Sequence, residues 1–181
     1  MHFRMILAAL CVCGALVTSA YAADESATSA DLNSGDRKFV QMTADMGARE
    51  VQFSERAKTK AQSKEVQQYA AAMIEHHGKT NRELMQLAQR FYESGGPPYK
   101  RQDRGVKKAV EELSALEGAQ FDRRYMEAMI KDHRQSIKRF EREAKSGKDA
   151  ELKAFAAKAL PQLKKHLAEA ERIAAGLSAS Q

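Results

Sequence analysis

Four residues of this chain join a metal-binding or proton-carrying side chain to the apolar stripe of a helix: Glu50, His77, His133 and His166. Two of them close a repeated phrase. YAAAMIEHH, Tyr69 to His77, returns 56 positions later as YMEAMIKDH, Tyr125 to His133, with Tyr, Ala, Met, Ile and the last His at the same offsets. Neutral imidazole is the commonest protein ligand for zinc and copper, and a carboxylate can complete such a set or orient it. Met46, Met73 and Met129 each precede their stripe residue by four, which puts a thioether one turn away on the same face. Imidazole with thioether suits copper in a site without thiols. Tyr69 and Tyr125 point the same way as their histidines and are candidate hydrogen-bond partners behind the ligands. His76 and Asp132, directly before the stripe histidines, are expected to lean off the core, His76 as a peripheral ligand or a solvated side chain.

Simpler readings exist for each residue alone. A histidine on an apolar stripe can be a core residue hydrogen-bonded to a neighbour, methionine is a common filler of irregular cores, and Glu50 with one histidine can be a buried ion pair. One such residue on each of four helices is harder to explain this way, because every unpaired buried polar group costs about 1–3 kcal/mol. A di-iron centre of the usual kind needs Glu-x-x-His pairs. Here Glu75 is followed three residues later by Gly78, and Leu163 stands three before His166, so no such centre is expected.

The elements that must position these residues are helices. Phe39, Thr43, Met46, Glu50, Phe53 and Ala57 step by three and four, with Asp36 as the expected cap. Val66, Ala70, Met73, His77, Thr80, Leu84, Leu87 and Phe91 carry a second helix from Ser63 to the SGGPP stop at Ser94 to Pro98. A short extra helix is expected from Val106 to Leu116, ending before Gly118. Asp122, Met126, Met129, His133, Ile137, Phe140 and Ala144 form the next long stripe, closed by Ser146-Gly147. Asp149 caps the last helix, along which Leu152, Ala156, Ala159, Leu163, His166, Ala170, Ile173 and Leu177 align and in which Pro161 predicts a kink. No window alternates as a strand does. The fold expected is all-α, a four-helix bundle with the extra helix between helices two and three.

Heights along the helices test convergence. At 1.5 Å per residue, Glu50 and His77 lie roughly 18 and 21 Å from the first turn, while His133 and His166 differ by roughly one turn, about 6 Å, around the last one. The spacing leaves open both the topology and whether His166 reaches the others.

The chain has 181 residues and a net charge of +6, with an isoelectric point near 9.3. Arg4, the uncharged run Met5 to Ala20 and the Ala20-Tyr21-Ala22 pattern read as a signal peptide over residues 1–22, cleaved after Ala22. A flexible leader is expected at 23–36, the helical domain at 37–177 and a tail at 178–181. Both cysteines, Cys11 and Cys13, fall in the leader peptide, so the mature chain offers no thiol ligand and no disulfide. No later run is long and apolar enough to span a membrane, and basic residues are interleaved with acidic ones. Periplasmic or otherwise secreted localisation makes anionic envelope polymers the fitting partners for the excess charge, rather than nucleic acid.

FVQMTADMGAREV, VQQYAAAMIEHHGKTNREL, LSALEGAQFDRRYMEAMIKDH and LKAFAAKALPQLKKHL, one from each long helix, resemble a bacterial family of secreted ferritin-like proteins. That family is domain of unknown function 4142, often labelled predicted outer membrane proteins. The resemblance covers Asp36 to Leu177 and implies a ferritin-like fold and an envelope address, with recurring polar positions at Glu50, His77, Asp122, Tyr125, His133 and His166. It assigns no activity. Where the family has Asp, this chain has His76, so that MIEHH looks like the Met-Ile-x-His-His element of a neighbouring ferritin-like family associated with periplasmic copper.

The reading these observations favour is a non-enzymatic periplasmic bundle serving metal or stress tolerance. It would hold one copper or zinc ion through Glu50, His77, His133 and His166, with Met46, Met73, Met129, Tyr69, Tyr125, Asp122 and His76 as auxiliary groups. The alternative is a structural or adaptor protein of the envelope without metal. Redox or hydrolytic chemistry at an open metal position is a third reading, for which no residue names a substrate.

Overall fold

The computed structural model describes residues 32–93 and 103–179, which form α1 (Ser34–Lys60), α2 (Lys64–Glu93), α3 (Asp103–Ser114), α4 (Gly118–Ser146) and α5 (Ala150–Ala179). Residues 1–31, 94–102 and 180–181 lie outside the described residues, and with them the expected signal peptide, most of the expected leader and the expected stop at Ser94 to Pro98.

The cap of α1 is Asn33, not Asp36. Asn33 Oδ1 accepts the N–H groups of Gly35 and Asp36 at 2.8 and 3.2 Å, satisfying two of the donors that every helix start leaves free. Asp36 is thereby released for a longer-range task. Its buried carboxylate accepts the N–H groups of Lys148 and Asp149 at 3.1 and 2.7 Å and so holds the α4–α5 turn. The α1–α2 turn is held reciprocally by Asp122 of α4, which accepts from Gln62 N and Ser63 N at 3.1 and 2.8 Å. Asp149 caps α5 as its sequence predicts, accepting from Leu152 N at 2.8 Å. Gly118 enters α4 at φ 55°, where a side chain would be strained.

These anchors define the topology. The start of α4 meets the end of α1, with Lys60 paired to Glu117, and Arg90 near the end of α2 binds Asp149 at the start of α5. Helices α1 and α2 are therefore antiparallel, as are α4 and α5, and the connection between α2 and α4 returns along the length of the bundle with α3 packed on α1 and α4. One long crossover of this kind is the ferritin-like arrangement. Helix α5 continues through Pro161 from Ala150 to Ala179.

The interior falls into two apolar clusters. Phe53, Val66, Tyr69, Met73, Phe121, Tyr125, Met129 and Ile173 belong to the one at the α1–α2 turn. Phe39, Val40, Leu84, Phe140, Leu152, Phe155 and Leu163 belong to the one at the α4–α5 turn. Glu50, His77, His133 and His166, all buried, occupy the level between them.

At the α4–α5 end, Glu143 packs against Asp36. Burial, then the charge and hydrogen bond of Asp36, raise its carboxyl from the usual 4.5 to about 7. A carboxyl protonated in the folded chain and ionised in the unfolded one stabilises the fold at low pH, and that contribution is lost as pH rises from about 4.5 to about 7. The wild-type melting temperature should carry a downward component across this window, worth about 1 kcal/mol after solvent screening. Glu143→Gln, whose amide can donate to Asp36 at any pH, should remove that component when thermal melts are compared between pH 5 and 8.

Candidate metal centre

His77 is placed by α2 and His133 by α4, and a contact on one nitrogen of each ring sets the direction of the other. His77 Nδ1 lies 2.9 Å from Glu50 Oε2. His133 Nδ1 lies 2.9 Å from the carbonyl oxygen of Met129. Carboxylate and carbonyl oxygens only accept, so both Nδ1 atoms carry protons and both Nε2 atoms turn toward the bundle axis. There they stand 3.3 Å apart. His166 Nδ1 from α5 approaches the same point, 3.4 Å from His133 Nε2. The three histidines each offer a ligand atom within 4.8 Å of the other two.

The spacing is informative. Two nitrogens bound to one ion at about 2.0–2.1 Å and a tetrahedral angle stand about 3.3 Å apart. Two neutral imidazoles facing each other through lone pairs at that separation repel, and a cation between them removes the repulsion.

The expected one-turn mismatch of His166 closes because side chains lean toward the N-terminus of their own helix. His133 leans away from the α4–α5 turn and His166 leans back toward it. Helix α1 seats closely on α2 one turn from this level, where a Cβ on Gly47 would collide with Asn81.

Glu50 stands behind His77, on the side away from the three converging nitrogens. Its burial acts to raise its pKa, but the charge and hydrogen bond of His77, then the charges of His133 and Arg49, outweigh it and hold the carboxyl at about 2. His77 is correspondingly raised, since Glu50 overcomes the downward effect of burial. His133 is lowered, chiefly by burial. His166 is pushed down to about 2 by burial and by the charges of His77, His133 and His76. Glu50 and His77 thus favour each other's charged forms, while burial favours the neutral forms of His133 and His166. Glu50 Oε1 accepts no hydrogen bond and lies 3.8 Å from His133 Nδ1.

The other candidate residues are distributed around this point. Tyr69 OH donates to the backbone carbonyl of His166 at 3.2 Å. Tyr125 OH pairs with Ser54 Oγ at 2.8 Å, and Ser54 donates to the backbone carbonyl of Glu50. Met73 and Met129 are buried in the apolar cluster toward the α1–α2 turn. Met46 is half-buried with its sulfur against Arg139 Nη1, and Asp122 is at the α1–α2 turn. His76 is half-buried, its ring stacked on that of His166 at 5.0 Å and 11°, with Nδ1 2.9 Å from His166 Nε2.

Asp132 departs from expectation. It is only 3 % exposed and forms an ion pair with Arg49 of the neighbouring α1, at the edge of a depression of about 340 Å³ that α3 also lines. Burial, opposed by Arg49, raises its carboxyl to about 6. Gln162, one turn before His166 and 2.7 Å from its Nε2, was not singled out by sequence. Its i, i+4 spacing to His166 was the available signal.

A carboxylate hydrogen-bonded to a metal-facing imidazole sets its tautomer and basicity, and losing such a partner typically weakens metal binding 10–100-fold. Glu50→Gln should lower the affinity of the cluster for zinc by that factor, measured by competition with a chromophoric chelator, and should leave the stoichiometry unchanged.

Fold and cluster together define a class: a ferritin-like helical bundle with three converging imidazoles at mid-height. Residues 21–173 match the family described as Domain of unknown function (DUF4142). The chain belongs to that family. No curated protein matches it. Among solved structures it is similar to a DUF305 fragment from Deinococcus radiodurans, at 16 % identity and TM-score 0.69, covering 81 % of this chain and 99 % of that one. It is also similar to a candidate secreted DUF305 protein from Streptomyces coelicolor, at 13 % identity and TM-score 0.67, covering 80 % and 94 %. Among the described residues, no helix is long and apolar enough to cross a membrane.

Proposed function

We propose that this protein is a periplasmic metal-binding bundle that holds one copper or zinc ion on His77 Nε2, His133 Nε2 and His166 Nδ1, with Glu50 orienting His77. The observation that carries the reading is the convergence of three buried ring nitrogens with neighbouring spacings of 3.3 and 3.4 Å. Three imidazoles leave a fourth position for water or an exogenous ligand, a set compatible with zinc and with copper. Burial of the cluster and the absence of thiols outside the leader peptide fit a binding role in an oxidising compartment. The secreted-protein description of the Streptomyces coelicolor chain and the leader-like first 22 residues support export.

The ion competes with the proton on His77, so occupancy falls as the solution becomes acidic. Calorimetric titration of the metal-free protein with Zn(II), and with Cu(II) separately, should reach saturation at one equivalent per chain near neutral pH. A protein that takes up neither ion would refute the proposal and leave the structural reading of the same cluster.

A further inference from the structure

We infer that a metal ion reaches the interior through the seam between α2 and α5, with His76 as the side chain that receives it and passes it to His166. The inference rests on the metal reading above and adds a route to it. The three inner histidines are at most 5 % exposed, and a close-packed interior gives an ion no path unless a side chain carries it. Among the described residues, His76 is the half-exposed imidazole in contact with this group.

Its position fits the task. His76, Thr80, Phe155 and Gln162 line a surface depression of about 220 Å³, so an ion arriving from solvent meets the His76 ring first. Glu83 adds a carboxylate to the same depression, paired with Lys158 at 2.6 Å. Behind His76, the two nitrogens of His166 point in opposite directions. Nε2 faces His76 Nδ1 at 2.9 Å and Gln162 at 2.7 Å, while Nδ1 faces His133 at 3.4 Å. An ion held between His76 and His166 is one half-turn of the His166 ring from the inner site, since rotation about Cβ–Cγ carries Nε2 across to the side of the ring that Nδ1 occupies.

A second depression on the same seam, about 210 Å³, also touches His166. Its rim carries Arg172, as the first depression carries Lys79 and Lys158, so charge does not choose between them. Arg172 holds Glu65 at 3.3 Å and Glu169 at 2.8 Å, much as Lys158 holds Glu83 at the first depression. The route past His76 offers a nitrogen donor at its mouth, and this one does not.

A relay ligand changes the rates of entry and exit together and leaves the equilibrium alone. Stopped-flow uptake of Co(II), followed by its visible absorption in the purified protein, and extraction of the bound ion by EDTA measure both directions. His76→Ala should keep one equivalent of Co(II) and slow both uptake and extraction by an order of magnitude or more. Arg172→Gln, at the other depression, should match the wild type in both rates. Unchanged or faster rates in His76→Ala would overturn the relay, the faster ones marking His76 as a plug. Faster extraction with unaltered uptake in that variant would make His76 an equilibrium ligand and overturn it equally. A wild type that binds no Co(II) defeats the metal reading itself, whereas normal binding with unaltered rates defeats only the route.

Discussion

Replacing His133 by alanine is expected to lower the affinity for zinc at least about a hundredfold and to remove most of the stabilisation that the metal gives the fold. Structural zinc bound by four ligands contributes about 10–16 kcal/mol, or ~3 kcal/mol per ligand, which corresponds to a little over two orders of magnitude in the dissociation constant. His133 Nε2 lies 3.3 Å from the facing nitrogen of His77 and 3.4 Å from that of His166, so its loss removes the ligand atom close to both and leaves two. With free zinc at a thousand times the wild-type dissociation constant, the ion stabilises the native state by about 4.1 kcal/mol. A hundredfold weaker variant at the same concentration gains about 1.4 kcal/mol. For a domain of this size the metal-dependent rise in melting temperature should shrink from roughly 8–16 °C to roughly 3–6 °C. Each protein is compared with and without metal, so the cavity left by the missing ring cancels. An equal rise in both would show that His133 does not bind the ion.

That each long helix turns one polar group inward near mid-length was legible in the sequence, whereas the level of His166 was left open. Stripes of period 3.6 show that Glu50, His77, His133 and His166 face inward, and counting residues from each turn places them near mid-helix. Counting along a helix cannot say which ring nitrogen faces the axis. That depends on what the other nitrogen meets, a carboxylate for His77 and the Met129 carbonyl for His133, and the first of these contacts comes from another helix. The same limit explains Met46. Met46 has the same offset from Glu50 as Met73 and Met129 have from their histidines, yet those two are buried in the core while its sulfur lies against Arg139 of α4, a contact that counting along α1 cannot give.

Two other differences arise from contacts distant in sequence. Asp132 looks solvated when α4 is considered alone, and is buried in the fold, where α1 brings Arg49 to it. Asp36 has the composition of a cap and the right position for one, yet Asn33 takes that role and Asp36 is held by the α4–α5 turn more than a hundred residues away. Local propensity ranks the two residues alike as caps, so tertiary contacts decide between them.

The second large effect concerns the metal-free protein, and it separates a binding site from a structural network. A buried ionic cluster is generally a poor way to stabilise a core, since the cost of removing charges from water can exceed what their mutual attraction returns. Replacing such groups by apolar residues of similar volume is often neutral or stabilising by about 1–4 kcal/mol. Here the cluster separates two apolar halves of the core, and it sets two imidazoles lone pair to lone pair unless a proton or a metal lies between. If binding is the reason for the cluster, the quadruple variant Glu50→Met, His77→Leu, His133→Leu, His166→Leu should be more stable than the metal-free wild type, by up to about 4 kcal/mol in urea unfolding. It should also lose all response to zinc. Single substitutions make a weaker test, because removing one partner strands the rest: Glu50→Met alone leaves His77 Nδ1 buried without an acceptor and should destabilise by about 1–3 kcal/mol. A quadruple variant less stable than the metal-free wild type would mean that the hydrogen-bonded waist itself holds the two halves together. That outcome would move the weight of the case from a metal site to a scaffold.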